Sequence, residues 1–421
     1  MHGWAKDLFP ICRSITGNGL RQTLRYLQRL LPGLDLHEVP SGTKAFDWTV
    51  PDEWNVRDAF LIGPDGQKVI DFRRNNLHVV GYSEPVEATL TLEELQPHLH
   101  SLPDLPEAVP YITSYYRRNW GFCLAHRDRL KLKRGRYRVK IDSALGPGSL
   151  TYGDLVLEGR ERKEVFFSTY VCHPSMANNE LSGPVVAAAL ARWLMGRGDR
   201  RYTYRFVFAP ETIGAIVYLS RNLDILKRNV VAGFILSCVG DERAYSIVES
   251  RLGDTLADRV ARHVLRHQAG TYATYRLWEL GGSDERQYGS PGADLPVVCF
   301  SRSKAATYPE YHTSLDDLGV ISPRGLEDSL TALERCVAAL ECNRIYRNTC
   351  VGEPQLGKRG LYPALGARDN ARVMRTMMTL LAYADGRHDL LAIAERAERP
   401  VEELFPLAEK LLSQGLLAAE T

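Results

Sequence analysis

With 421 residues the chain has the length of two or three domains and of a large buried core, which excludes a small disulfide-stapled or metal-nucleated fold. Lys and Arg total 53 against 51 Asp and Glu, a formal charge of +2, so no overall charge imbalance recruits nucleic acid. At 44% hydrophobic and 25% charged residues, the composition is that of a folded globular protein rather than a disordered one.

The first twenty residues, MHGWAKDLFPICRSITGNGL, are broken by Lys6, Asp7, Pro10 and Arg13 and lack the unbroken apolar stretch of a secretory signal. No segment approaches the ~18 apolar residues of a membrane span. The eight cysteines form no CxxC pair and sit mostly in apolar surroundings, as reduced packing thiols do, and a cytoplasmic protein is expected. Residues 59–80 (AFLIGPDGQKVIDFRRNNLHVV) read as a hairpin around Pro64-Asp65-Gly66 followed by more strand, which sets off 46–105 as a small β-rich insert.

From about 155 to 345, short β-rich runs alternate with longer amphipathic ones, the pattern of crossover units around a mostly parallel sheet. The predicted strands are Val165–Val171, Arg205–Ala209, Val230–Val239 and Leu295–Phe300, each apolar enough to be covered on both faces. Helices are predicted over Leu181–Trp193, after Glu211 and over Gly253–His267. A Gly/Pro-rich joint, Val351–Gly366, leads to helical patterns at Ala371–Tyr383, Leu390–Arg396 and Pro400–Gly415, which resemble a winged-helix module. The expected fold is therefore α/β: a mostly parallel central sheet flanked by helices (1–45 and 106–350), the insert at 46–105, and the winged-helix-like module at 351–421.

Ligands of such sheets gather at the carboxyl ends of the strands. There the chain delivers His173 ahead of Ser175–Glu180, then Glu211-Thr212, Gly240-Asp241-Glu242, the loop Gly281–Arg286, and Tyr311-His312-Thr313-Ser314-Leu315-Asp316. Two imidazoles and several carboxylates on one sheet edge suit zinc, which lowers the pKa of a bound water while a nearby carboxylate takes its proton. Amide hydrolysis is the natural reaction. Each residue alone also has an ordinary structural role, a hydrogen-bonded loop His or a helix-capping carboxylate; it is their coincidence at successive strand ends that points to a site.

The order of these motifs resembles the co-catalytic zinc aminopeptidases of the bacterial leucyl aminopeptidase type. More closely, YVCHPSMANNELSGP, APETIG, CVGDERAYS, GSDERQY, LPVVCFSRSK and YPEYHTSLDDL resemble a bacterial branch of aminopeptidase-like proteins. That branch carries a small β-insert and a C-terminal winged helix and is associated with polysaccharide or secondary-metabolite genes. The resemblance implies His173 and His312 as metal ligands, Glu211 as general base or its neighbouring ligand, and Asp284 as a supporting residue. Two positions depart from the broad family: Asn178-Asn179-Glu180 stands where a metal-bridging Asp is expected, and Thr212 where a second Glu is expected. Losing carboxylates that hold two dications together favours one zinc ion over two. Glu180 and Asp241 are candidates for the missing carboxylate, although the family's third-strand aspartate aligns closer to Ser237 or Cys238. Arg286 is a candidate for holding an anionic group of the substrate, or alternatively for a surface ion pair with Glu285.

Other signals are weaker. His263 and His267 share a helix face without the Glu of an HExxH motif and read as a surface pair; His98 and His100 offer only two ligands; Cys172 is expected to point away from His173 and pack. Serine-nucleophile elbows and phosphate-binding loops are absent from the sequence. From Gly352 onward nine Lys/Arg face ten Asp/Glu, which lacks a nucleic-acid footprint, so the tail is expected to dock on the catalytic domain or on a second copy in a homo-oligomer. The expected partner is a small peptide or amide substrate, with no nucleic acid and no membrane. A diverged scaffold or acyl-transfer enzyme is the alternative, and a DNA-binding regulator a further one.

Overall fold

The computed structural model describes residues 1–279, 282–361 and 370–420. Gly281 and residues 362–366 of the expected joint lie outside them. Two compact units divide the chain: Met1–Asp258 with Ala273–Leu330, and Arg259–Tyr272 with Thr331–Thr421.

The first unit is built on an eight-stranded sheet. Its strands in chain order are β1 (Asp35–Pro40), β2 (Ser149–Leu157), β3 (Glu164–Tyr170), β4 (Thr203–Ala209), β5 (Val230–Leu236), β6 (Ser246–Val248), β7 (Ala273–Tyr275) and β8 (Val297–Ser301). Across the sheet they lie in the order β1-β2-β4-β3-β5-β8-β6-β7. The four central strands β4, β3, β5 and β8 are mutually parallel, as the unbroken apolar runs imply. Register is visible in side chains: Phe167 of β3 stacks on Phe206 of β4 and Phe234 of β5, at centroid distances of 4.9 and 5.4 Å. The third predicted strand ends at Leu236, earlier than expected, because Cys238 takes a left-handed φ of 54°.

Helix α1 (Ser182–Met195) follows a five-residue π turn, Ala177–Leu181, and helix α2 is Ile213–Asn229. The small residues Ser182, Gly183, Ala187, Ala188 and Ala191 are buried and let α1 lie close on the sheet. Gly183 is the tightest approach: a Cβ there would run into the Leu236 carbonyl oxygen and the Thr169 hydroxyl.

A separate four-stranded antiparallel sheet orders Lys68–Asp71, Glu53–Ile62, Arg136–Gly146 and Val86–Thr91. The hairpin at Pro64-Asp65-Gly66 forms as expected. The strand Arg136–Gly146 pairs along the whole of Glu53–Ile62, so this sheet draws on residues beyond 46–105. A small hairpin, Lys44–Ala45 with Trp48–Thr49, carries Phe46 and Trp48 exposed near its turn.

In the second unit, helices Asn370–Tyr383, Leu390–Ala397 and Val401–Ser413 pack with a three-stranded antiparallel sheet of Asp385–Asp389, Ile345–Asn348 and Leu417–Ala419, a winged-helix arrangement that begins at Ile345. His263 is buried here and its Nε2 accepts from the Val401 amide at 3.0 Å, so the His263–His267 pair is no surface pair. Asp389 accepts from the Ala392 amide, capping the second helix, and takes both Arg259 guanidinium nitrogens at 2.8 and 2.9 Å.

Two outcomes follow for stability. Gly183→Ala is expected to cost about 1–3 kcal/mol, read as a lowered denaturant midpoint, because the Leu236 backbone carbonyl as well as the Thr169 hydroxyl opposes the added methyl. Burial works against ionised Asp389, but Arg259, Asn343 and the Ala392 amide outweigh it and hold its pKa below the ordinary value. Its contribution is therefore full above the unfolded pKa of about 4 and is lost as pH falls through the lowered one. Asp389→Asn is expected to destabilise the protein by about 1–2 kcal/mol at pH 7, with a difference from wild type that shrinks below pH ~4.

Candidate metal centre

Past Tyr170 the chain leaves the sheet and the strand alternation lapses, so Cys172 and His173 do not take opposite faces as expected. Both line one pocket of about 400 Å³. The His173 ring is held on each side by a carboxylate: Nδ1 lies 3.0 Å from Glu180 Oε2, and Nε2 lies 3.4 Å from Glu211 Oε2. Burial lowers the His173 pKa, but the bonds to Glu180 and Glu211 outweigh it and raise it to about 9.

Glu180 sits in the π turn, a widened turn of the kind often found at functional sites. The Asp316 carboxylate holds this turn, accepting from the amides of Asn178 and Asn179 at 2.7 and 2.8 Å. The Asp316 that ends the Tyr-His-Thr motif thus anchors the loop of the other histidine.

Glu211 is aimed by a strained turn. Thr212 has φ 62° and ψ −77°, and the Ile213 amide donates to the Glu211 carbonyl at 2.8 Å, the uncommon γ-turn. Asp284 accepts from the Thr212 amide at 2.7 Å, while Ser283 Oγ donates to Glu211 Oε1 at 2.8 Å, which turns Oε2 toward His173. Burial opposes ionised Glu211, yet His173, Ser283 and His312 bring its pKa below the usual value. Asp284 is pushed well up, first by burial and then by the Glu211 charge. Arg286 donates to the Ser283 carbonyl at 3.0 Å and to Thr212 Oγ1 at 3.4 Å, binding the loop rather than lining the pocket.

His312 also has a left-handed φ, 55°. Its ring is stacked on Tyr311 at 3.9 Å and 11°, and Tyr111 stands edge-on to both histidines at 5.0 and 5.3 Å. The two imidazole centroids are 5.3 Å apart. Burial, then the charge on His173, lower the His312 pKa to about 3, so its imidazole is neutral. Its Nε2 is buried without a hydrogen-bond partner.

The structure therefore brings His173, His312 and Glu211 together at the pocket, with Glu180 behind His173 and Asp284 and Arg286 behind Glu211. Asp241 is not brought to the histidines. Its oxygens accept from Asn178 Nδ2, Ser303 N and Oγ, and the Arg243 amide, all at 2.8 to 3.1 Å, and it ties buried loops together instead. Cys238 is buried beside Ser237 and Tyr308, and His98 stacks on Trp120 at 3.6 Å. Sequence reasoning missed Tyr111, Tyr115, Tyr116 and Trp48, which line the pocket, and Arg13. The aromatic density of VPYITSYY was the one visible signal.

Two of the donors stand at the spacing of ligands of one metal ion. Zinc held by imidazole and carboxylate at ~2.1 Å with a tetrahedral angle places its ligand atoms ~3.4 Å apart, the separation of His173 Nε2 and Glu211 Oε2. The unpartnered His312 Nε2 is a further imidazole nitrogen at this pocket, but the three donor atoms do not all lie within 4.8 Å of one another, so His312 joins the set only when its ring moves inward. The three donors that do lie within 4.8 Å of one another, among the described residues, belong to Cys172, His173 and Glu180. Glu180, however, meets Nδ1, while Cys172 Sγ accepts from the Glu211 amide at 3.3 Å and its pKa is pushed well up by burial, against the thiolate a metal needs.

Comparison with known proteins agrees with this architecture. The family model described as a domain of unknown function, DUF4910, matches residues 2–343. The chain belongs to this family. A winged helix-turn-helix model matches residues 344–419. A Clostridium acetobutylicum protein, named for polysaccharide biosynthesis and an aminopeptidase-like domain, is 44% identical over 418 residues, covering 98% of this chain and 94% of its own. A crystal structure from the same organism, described as a candidate peptidase, is 42% identical with a TM-score of 0.93, covering 100% of this chain and 96% of that one. A zinc aminopeptidase from Bacillus subtilis shares the fold at 14% identity and a TM-score of 0.55, over 80% of this chain and 94% of that one. The aminopeptidase-like α/β fold with a C-terminal winged helix is thus as expected. Among the described residues no helix is long and apolar enough to cross a membrane.

Thr212→Gly is expected to raise the calorimetric melting temperature, a gain of about 1 kcal/mol once relieved strain offsets the ~0.5–1 kcal/mol of added unfolded-state entropy. A lowered melting temperature would show that the turn stores no strain.

Proposed function

We propose that the chain is a metal-dependent hydrolase, carrying one zinc ion, that cleaves an amide bond of a small peptide or aminoacylated metabolite. One observation carries this reading: His173 Nε2 and Glu211 Oε2 stand at the spacing of two ligands of one ion, in a pocket also lined by His312, whose Nε2 is buried without a partner. Glu211 is then the third ligand rather than a free base. The kinship of the fold with zinc aminopeptidases supports the chemistry, and the relative's name supports a biosynthetic, sugar-linked amide as substrate.

Bound zinc supplies a Lewis acid and a water acidified toward neutrality. The chain's residues supply the rest. Glu180 fixes the His173 ring and leaves Nε2 facing the pocket. Ser283 orients Glu211. Tyr111 and Tyr115 have pKa values raised by burial and stay neutral; with their hydroxyls 2.7 Å apart, one O–H donates to the other oxygen and the remaining O–H is available to a substrate carbonyl. Trp48 and Tyr116 narrow the mouth and limit access to small substrates.

A second ion lacks ligands in this reading. Asn178 donates its side-chain amide to Asp241 and Asn179 donates to the Tyr170 hydroxyl, so neither position offers a bridging carboxylate, and Thr212 replaces the other.

Purified protein is expected to hold one equivalent of zinc by elemental analysis and to hydrolyse members of an aminoacyl-amide panel that includes amino-sugar amides. His312→Ala is expected to lose the zinc and at least ~100-fold of turnover. Metal-free wild-type protein that neither binds added Zn²⁺, Co²⁺ or Mn²⁺ nor turns over any amide would overturn the proposal.

A further inference from the structure

In the sequence Arg13 is only a break in an apolar stretch. In the fold it is buried, with no side-chain exposure. Its Nε donates to the His173 carbonyl oxygen at 2.8 Å and lies 3.5 Å from Glu180 Oε1, and its Nη1 donates to the Leu8 carbonyl at 2.7 Å. The other Glu180 oxygen meets His173 Nδ1. One guanidinium therefore meets His173 in two ways, its main chain by a hydrogen bond and its ring through the charge it sets beside Glu180, whose Oε1 is buried with no hydrogen bond of its own.

A guanidinium and a carboxylate are retained away from water only when each offsets the other. Fastening the N-terminal helix (His2–Leu8) to the His173 loop would require a donor but no charge. The charge is accounted for by Glu180, which is fully buried and forms an ion pair with Arg13. Glu180 in turn serves as the acceptor that sets the direction of the His173 ring.

We propose that Arg13 is a positioning residue for metal binding: acting through Glu180, it holds the His173 imidazole so that Nε2 is presented to a divalent cation in the pocket. The inference rests on the reading of His173 as a ligand. Partners of this kind behind a metal-bound histidine are typically worth 10- to 100-fold in metal affinity.

The test uses full-length wild type, Arg13→Met, Arg13→Lys, Glu180→Gln and the Arg13→Met/Glu180→Gln double variant. Each is checked for folding by circular dichroism and titrated with Zn²⁺ against a chromophoric chelator, and each Co²⁺ form is examined by visible spectroscopy. Folded Arg13→Met and Glu180→Gln are each expected to bind zinc about 10- to 100-fold more weakly. The double variant is expected to fall within about threefold of the weaker single one, since the two residues act as a unit. Arg13→Lys, which keeps the charge, is expected to recover part of the affinity and to shift the Co²⁺ bands less than Arg13→Met.

Wild-type zinc affinity in folded Arg13→Met, or multiplicative losses in the double variant, would overturn the inference. Should Arg13→Met fail to fold, folded Glu180→Gln with wild-type zinc affinity overturns it equally. A wild-type protein that binds no metal would instead overturn the hydrolase reading, and this inference with it.

Discussion

One imidazole held between two carboxylates organises this molecule. His173 is almost fully buried, and a ring with both nitrogens committed cannot rotate without losing a charged partner on one side or the other. Each carboxylate is itself fastened from a different part of the chain. Glu180 belongs to a π turn held by Asp316, and Glu211 to a γ-turn held by Asp284. The strand ends of the sheet are thus cross-braced by side chains rather than by regular secondary structure.

Part of the backbone strain lies at these braced strand ends. Ser175, Thr212, Cys238 and His312 all have left-handed φ without being glycine. All four lie just past strand ends or in the loops that meet there. Such conformations persist only where surrounding contacts over-determine them: the Asp284 carboxylate takes the Thr212 amide, the Ser175 hydroxyl meets Asn76 and the Phe9 carbonyl, and the Cys238 and His312 carbonyls accept from the Arg302 and Tyr111 amides. The aromatic wall takes part as well: the Tyr111 amide donates to the His312 carbonyl, and Pro110 bridges to Thr313, so the segment that shapes the pocket also positions a donor inside it.

Much of this was legible in the sequence. The apolar runs ending at Tyr170, Ala209 and Leu236 are those of a doubly covered parallel sheet, and the rule that sites form at strand ends leads directly to His173, Glu211 and His312. What was not legible depends on direction and distance. Asp241 stands at a strand end like the others, but whether its carboxylate faces a cation or an asparagine amide is settled only by the fold. Glu180 was a candidate for the missing carboxylate, and the π turn sets it against His173 Nδ1, a placement by local helix geometry that spacing cannot reveal. Arg13 and Tyr111 lie 160 and 62 positions from His173 (173 − 13 and 173 − 111), and no local pattern links residues so distant. The strand Arg136–Gly146 joins the small sheet for the same reason: ladder partners far apart in sequence leave no periodic trace.

The asparagine at 178 has an evolutionary corollary. Its side chain bridges the Gly240 amide to the Asp241 carboxylate, donating with one end and accepting with the other. An aspartate there would still satisfy Gly240 but would set two buried anions against each other. A carboxylate at 178 therefore calls for a change at Asp241 in the same step or earlier, so substitutions at the two positions are open in one order and closed in the other.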